Sequence, residues 1–565
     1  MGVSQLFTNS VVANYGRAVR SAPREMVTSR SLITSTLLYA MASIPLSKIL
    51  PNCHASEFTN CDQAWDQGSS SVITSLPGFQ QYFNIDSSAK DMRNFIAIIY
   101  IGYAVGAALS FFINDRIGRV WSWRLYASLW ILGQMVHVSA PGWPALYAAR
   151  IISGMGIGSL SVMGPMSIVE IAPREIRGLL TAWYVVAMGI SLFVAIFCVY
   201  GVFLHVPASR LQYQIVWFSP CVFMALCIVA SFFLCESPRW LLLVNRREEG
   251  IKTLVKLRGL PLDHPRVREE LQEIESSLRA FTGDHDVGAE YKRPTFLEVI
   301  KETFTVRSNL RRLQQTLISF ALAQLSGANS ITSYFIPIME IIGYGTKVTD
   351  SMFLSGMYGL AKFFFSLIAS FFLIDTLGRR KSLFLGITLQ LVSHIYIGIY
   401  IKTSQEHAVS VASSQAAIAA LFIHAFGYGV GLLILPYVFG GELWPNRIRS
   451  FGGAVGQTFH WLFIYAIKFS IPSLLAKTDN WGAFIFFAGW CFIALLYVYF
   501  VVPEVAGLSV EEIGAVLDGP WFKAYKHTKR RVTVEEIQGQ ESHDGYLMKS
   551  SASNQDVAMD IKDRV

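Results

Sequence analysis

One stretch of this chain carries a charge where lipid would reject it. Residues 145–178 read ALYAARIISGMGIGSLSVMGPMSIVEIAPREIRG, with Arg150 inside the apolar part and Gly154, Gly156 and Gly158 at two-residue spacing behind it. An arginine at the centre of a lipid-embedded helix costs about 3 kcal/mol on insertion scales, so Arg150 has to face a partner or a wet cavity. The glycines allow a neighbouring backbone to approach closely. A second concentration of chemistry is AQLSGANSITSYF, residues 323–335, where Gln324, Ser326, Asn329, Thr332, Ser333 and Tyr334 sit in an otherwise apolar segment. An amide both donates and accepts, so Gln and Asn side chains suit adjacent hydroxyl groups of a polyol. Interhelical hydrogen bonding is the plainer use of the same residues. Gly327 is a place for that helix to deform.

Lys362, in SGMYGLAKFFFSLIASFF, lies near the middle of an apolar run, too deep for its stem to reach either interface. Its ammonium requires a carboxylate, backbone carbonyls, water or an anionic substrate. His394, His424, His460 and Lys468 are also unusual in apolar segments and read first as packing residues. Asp66 and Gln67, in AWDQG, stand between two moderately apolar pieces. Two readings stay open for them. Either they belong to a polar extracellular loop, or LLYAMASIPL and AWDQG form one helix interrupted by an insertion around residues 49–63, with Asp66 inside the membrane. No nucleotide loop, metal constellation or nucleophile with its base occurs, so an enzyme is not expected.

The elements that must hold these groups are membrane spans. Hydrophobic residues make up 53% of the 565-residue chain and charged residues 15%, against roughly 25% charged in soluble chains. Twelve apolar runs are long enough to cross a bilayer: 31–50 (continuing irregularly toward 73), 94–113, 119–138, 145–171, 180–205, 214–235, 312–342, 351–375, 381–402, 414–440, 450–475 and 481–502. The net charge of +8 is distributed as a topology signal rather than a nucleic-acid footprint. Arg17, Arg20, Arg24 and Arg30, then Arg116 and Arg119, Arg174 and Arg177, the segment 236–311, and Arg379, Arg380 and Lys381 all fall on one side of alternating spans. The positive-inside rule makes that side cytoplasmic, with both termini inside. No cleavable secretory signal is expected. Cys53 and Cys61 could form an exofacial disulfide; Cys198, Cys221, Cys227, Cys235 and Cys491 read as packing residues, and no metal-ligand spacing appears.

The chain repeats itself. NDRIGR (114–119) is matched by DTLGRRK (375–381), VEIAPREIRG (169–178) by GELWPNRIRS (441–450), and CESPRWL (235–241) by VPEVAGL (502–508), in the same order. Three ordered pairs define an internal repeat of six spans. The expected organisation is a cytoplasmic segment 1–30, a six-helix bundle 31–235, a cytoplasmic linker 236–311 with short amphipathic helices, a second six-helix bundle 312–502 and a cytoplasmic tail 503–565. The fold class is an all-α membrane protein of twelve transmembrane helices in two pseudo-symmetric bundles.

AWDQG, DRIGR, ARIISGMGIG, EIAPREIRG, ESPRWL, QLSGAN, DTLGRR, GELWPNRIRS and PEVAGLSVEEI together resemble the sugar porter family of the major facilitator superfamily, over roughly 31–515. GMYGLAK and IYIGIYIK look like the fungal quinate permease branch. The resemblance implies a central polar site, alternating access and a multi-pass protein of the plasma membrane. It implies a proton-coupling pair of Asp66 and Arg150, with the proton as coupling ion and no other cofactor. It implies substrate contacts from Gln324 and Asn329, beside which Gln67, Tyr334, Lys362 and Tyr437 are further candidate substrate contacts. It also implies a charged cytoplasmic gate of Asp115, Arg116, Arg119, Glu170, Arg177, Glu236, Arg239, Asp375, Arg379, Arg380, Glu442, Arg447 and Arg449. The chain departs from the pattern at Ala323, where the family pairs two glutamines, at Val185, at Tyr437 and at Lys362, which tilts the substrate from plain glucose toward another polyol or a hydroxylated acid. The expected partners are a small polyhydroxylated substrate and the lipid bilayer, with no nucleic acid and a monomeric state. An uncoupled facilitator is the rival if Asp66 lies outside the membrane. A nutrient sensor is the other, although the tail is short and carries no readable interaction motif.

Overall fold

The computed structural model describes residues 61–84, 89–173, 177–282, 295–343, 347–373, 377–433, 436, 443–444, 448–504 and 522. The first expected span 31–50, the question of an insertion at 49–63 and a bridge from Cys53 lie outside these residues. Among the described residues every regular element is a helix. In hydrocarbon a helix satisfies each backbone group internally, and long apolar segments have little other choice. The first bundle comprises α1 (Cys61–Val72), α2 (Ala89–Ile117), α3 (Arg119–Ser139), α4 (Trp143–Ile171), α5 (Arg177–His205) and α6 (Leu211–Ala230). The linker forms α7 (Arg247–Arg258), α8 (Pro265–Thr282) and α9 (Phe296–Thr305).

The seventh span is broken into α10 (Arg307–Leu325), α11 (Ala328–Ser333) and α12 (Phe335–Ile342). After it come α13 (Val348–Ile368), α14 (Arg379–Glu406), α15 (Val411–Val430), α16 (Arg449–Lys477) and α17 (Trp481–Phe500). Nine described helices are long and apolar enough to cross a membrane. With α1, α3 and the broken α10–α12 they make two sets of six. Span ends move by a few residues from the sequence reading. The eighth span stops at Ile368 and continues as a π-helical turn, Ala369–Leu373.

The burial pattern is that of a protein dissolved in lipid. Leu226 and Val229 of α6, Val392 and Ile399 of α14 and Phe492 of α17 point outward, while Arg150, Gln390, His394, His424 and Lys468 are buried. Between the bundles, α2 lies along α16 and α5 along α13. These two contacts exchange under the twofold implied by the repeat, because second and eighth spans correspond, as do fifth and eleventh. The glycines of α4 serve two neighbours. Ideal Cβ atoms at Gly154 and Gly158 would fall on α2, at Ile99 O and Tyr103 O, whereas one at Gly156 would fall on α3, at Tyr126 O.

The break in the seventh span has a visible cost and a visible remedy. Gly327 has φ +77°, the left-handed region that glycine enters without penalty. His394 Nε2 and His424 Nε2 lie 2.8 and 3.0 Å from the Ser326 carbonyl oxygen at this break. Two imidazoles donating N–H there meet the demand that irregular backbone at membrane depth be satisfied by protein groups. The histidines read as packing residues thus hold the kink, with His394 also stacked on Phe487.

The linker helices dock rather than dangle. Arg258 pairs with Glu270 through Nε (2.7 Å) and Nη2 (2.5 Å), and its Nη1 donates to Ile171 O at 2.8 Å. A cation at the last carbonyls of α4 is favourable against the helix dipole. Thr295 and Glu298 form a capping box that starts α9. Phe296 then packs on Phe111 and Phe112 of α2 and Phe451 of α16, so α9 seals a junction between the bundles.

Candidate functional site

Asp66, Gln67 and Ser70 all project from α1, and Asp66 and Ser70 share a face by their four-residue spacing. Arg150 comes from α4 and is fully buried. Its Nη1 donates to Asp66 Oδ1 at 2.6 Å and its Nη2 to Ser70 Oγ at 2.6 Å. Its Cζ lies 3.9 Å from the centroid of the Phe95 ring on α2, a cation–π contact that gains strength away from water. Arg150 Nε has no partner among the described residues. Asp66 is therefore inside the bundle, supplying the counter-charge that makes an arginine tolerable there.

Beside this pair lies a cavity between the bundles. Its walls include Gln67, Tyr100, Tyr103, Asn329, Lys362, Tyr428, His460, Trp461 and Lys468. It holds about 60 Å³, room for a few waters at about 10–15 Å³ each. A line of amides crosses it: Gln67 Nε2 donates to Asn329 Oδ1 at 3.3 Å, and Asn329 Nδ2 to Gln324 Oε1 at 2.7 Å. Gln324 itself stands behind Asn329 and does not line the cavity, and its Nε2 is buried without a partner among the described residues. Tyr334 is turned away too, its hydroxyl donating to the Lys468 carbonyl at 3.1 Å. Lys362 has no carboxylate partner among the described residues; its Nζ donates to Thr332 Oγ1 at 3.0 Å. Tyr437 lies outside the described residues.

A family described as "Sugar (and other) transporter" matches residues 53–517. This chain belongs to that family, the sugar porters of the major facilitator superfamily. Its curated relatives include a probable quinate permease of Aspergillus niger, 30% identical across 85% of this chain and 90% of the relative. The quinate permease of Emericella nidulans is 29% identical across 85% and 91%. Among solved structures, the proton:xylose symporter XylE bound to 6-bromo-6-deoxy-D-glucose is 20% identical with a TM-score of 0.68, over 86% of this chain and 99% of that one. XylE from E. coli in a partially occluded inward-open conformation gives 0.66 at 18% identity, over 85% and 100%. The fold is the major facilitator fold, and the family moves its substrates across membranes rather than transforming them.

In this sugar transporter the charged motifs gather at one end. Arg119 binds Glu170 through two bonds of 2.9 and 2.7 Å and Asp115 at 2.8 Å. Glu236 accepts from the backbone N–H groups of Arg119 (2.9 Å), Val120 (3.2 Å) and Ser237 (2.9 Å), so its carboxylate caps α3. Burial pushes the Glu236 carboxyl up from its ordinary value, and those backbone donors pull it back. Arg239 is half-buried nearby, its charge acting on Glu170, and Arg116 is exposed. Arg449 bonds the Trp444 carbonyl. Asp375, Glu442, Arg447 and the Arg177 side chain lie outside the described atoms.

The second bundle repeats the cap with a residue not singled out from the sequence. Glu504 accepts from Arg379 N (3.1 Å) and Arg380 N (3.0 Å) at the start of α14. Gly118 and Gly378, with φ +92° and +87°, precede the two capped helices, and a Cβ on either would strike the capping glutamate. Shifting that pairing by one residue, CESPRW against PEVAGL, places Glu504 opposite Glu236, so the signal was present in the repeat one position out of register. Arg380, which stands where the first bundle has Val120, adds a bond of its own: its Nη2 donates to the Tyr499 carbonyl at 2.7 Å. Removing a cap costs about 1 kcal/mol. Glu504→Ala should therefore lower the melting midpoint of the purified carrier by a few degrees in a fluorescence thermal ramp; an unchanged midpoint would remove Glu504 from this role.

Proposed function

We propose that the protein is a proton-coupled carrier of a small polyhydroxylated compound, a hexose, a pentose or quinate, working by alternating access. It resides in the plasma membrane with both termini cytoplasmic. The observation that carries this is the buried Asp66–Arg150 pair beside a polar cavity between the two bundles. Burial favours the neutral form of a carboxylate and a neighbouring cation favours the ionised form. An arginine that moves as the bundles rock therefore changes the proton affinity of Asp66. The amides of Gln67 and Asn329 offer both donors and acceptors to ring hydroxyls. The Arg119–Glu170–Asp115 cluster ties α2, α3 and α4 together at the cytoplasmic end of the first bundle, and its loosening would accompany inward opening. The relatives named as quinate permeases and the fold of a proton:xylose symporter support the same reading.

The test is uptake of labelled glucose, xylose and quinate by transporter-deficient cells at two external pH values. Uptake of at least one, rising at acid pH, is expected; none of the three taken up sinks the proposal. Uptake indifferent to pH would favour the uncoupled facilitator. Asn329→Ala should raise the half-saturating concentration about fivefold, the equivalent of about 1 kcal/mol for one net hydrogen bond. A concentration dependence like the wild type would take Asn329 out of the site.

A further inference from the structure

Two ammonium groups face the same cavity, and neither has a counter-ion among the described residues. Lys362 from α13 and Lys468 from α16 both line it. Lys362 is 9% exposed and Lys468 1%. Each ammonium has three N–H donors. Lys362 gives one to Thr332 Oγ1 at 3.0 Å and lies 5.5 Å from the centroid of the Tyr428 ring. Lys468 gives one to Tyr100 OH at 2.6 Å and lies 4.5 Å from the centroid of the same tyrosine's ring. Among the described residues, neither has a carboxylate within salt-bridge distance. The two charges are close enough to act on each other, and Lys468 close enough to act on Asp66.

Charge accounting makes this arrangement incomplete as it stands. Among the described residues, the cavity and its adjoining pair hold Arg150, Lys362 and Lys468 against the single acid Asp66, and Asp66 is already taken by Arg150. Buried like charges with spare donors and no anion are held at a large cost unless something compensates them. Tyrosine faces and hydroxyl partners relieve part of it. A solute that brought a carboxylate into the cavity would supply the missing charge and accept the spare N–H groups. The same solute would meet Gln67 and Asn329, which are suited to hydroxyls.

We propose that Lys362 and Lys468 together clamp the carboxylate of an ionised, hydroxylated ring acid, with Lys468 as a specificity-determining residue for anionic over neutral polyols. This rests on the reading of the protein as a carrier of small polyhydroxylated compounds, and narrows its substrate class. Lys468 is the stronger discriminator because it is the more deeply buried and because its charge acts on the Asp66–Arg150 pair. A carboxylate drawn to Lys468 competes with Asp66 for that positive charge, so the anion's arrival loosens the hold on the Asp66 carboxylate.

The experiment compares quinate with quinamide, its uncharged amide, on the purified wild-type carrier by ligand-induced shift of the melting midpoint. It repeats both ligands on Lys468→Met and Lys468→Arg. The wild type should need at least tenfold more quinamide than quinate for the same shift. Lys468→Met should weaken quinate tenfold or more and quinamide by less than twofold, and Lys468→Arg should recover most of the quinate response. Equal affinity of the wild type for the two ligands overturns the proposal without reference to any variant. So does equal weakening of both by Lys468→Met, which would leave Lys468 as a structural partner of Tyr100. A wild type that prefers quinate in the binding assay but moves nothing into cells refutes the transport reading and leaves the clamp standing. One that takes up glucose or xylose and ignores quinate does the reverse.

Discussion

Asp66→Asn should abolish accumulation against a gradient while leaving exchange intact. Asparagine has nearly the shape of a protonated aspartic acid and no proton to give up, so the Asp66→Asn carrier can still close around substrate. What it loses is the obligation to carry a proton in the same cycle. With one proton per substrate, each unit of pH difference can support about tenfold accumulation, since about 1.4 kcal/mol is a factor of ten. Without the proton an uncharged solute can reach only an internal concentration equal to the external one, and an anion is held below that by an inside-negative potential. Arg150 keeps an acceptor in the amide oxygen and its bond to Ser70, but it loses a fully buried counter-ion. Removing one partner of such a pair costs about 3–5 kcal/mol, so the amount of carrier at the cell surface has to be measured alongside. The decisive comparison is the accumulation ratio and counterflow exchange, each per molecule of surface carrier, at an acidic and a neutral external pH. Accumulation that still follows the pH difference in Asp66→Asn would show that the proton rides elsewhere.

How the chain announces these features differs from residue to residue. The spans are legible because length and apolarity suffice for them, and the twofold is legible because three loop motifs recur in order. Arg150 stands out by its cost in lipid. Asp66 was ambiguous, because the residues just before it are too polar for a span; only its bond to Arg150 decides which side of the ambiguity it occupies. Lys468 and Lys362 are over a hundred positions apart, and nothing along the chain says that they look into one cavity. A helix with apolar residues around its whole circumference has no moment to show which face turns inward, and α16 is such a helix. The same limit hid the task of His394 and His424. Their target is a backbone carbonyl on another span, and side-chain identities carry no trace of it. Tyr334 shows the converse error: a polar residue in the right cluster spends its hydroxyl on the Lys468 backbone and turns from the cavity.

Gly158→Val should leave almost no folded carrier at the membrane, while Gly201→Ala should be silent. Both glycines lie in long spans, and in the sequence they look alike. At Gly158 an ideal Cβ would stand 2.0 Å from Tyr103 O and 2.5 Å from Tyr103 Cα. These are backbone atoms of α2, which cannot rotate aside as a side chain would. To reach even 3.0 Å, α2 and α4 would have to separate by about 1 Å. Overpacking of a close-packed interior costs about 1–3 kcal/mol, and more where backbone must move. Here the displacement reaches the site as well. Gly102 and Gly106 of α2 meet α4 just as closely, so the two helices are fitted along their length and have no slack to absorb a shift at one point. Tyr100 and Tyr103 of α2 line the cavity, and Arg150 stands on α4 about two turns before Gly158. Around Gly201, by contrast, none of the described residues comes within 4 Å of a built Cβ, so a methyl group there has room among them and favours the helix. Fluorescence-detected gel filtration of tagged variants reads both outcomes in one experiment. A monodisperse Gly158→Val peak at wild-type height, with uptake preserved, would mean that the α2–α4 contact is looser than its backbone distances require.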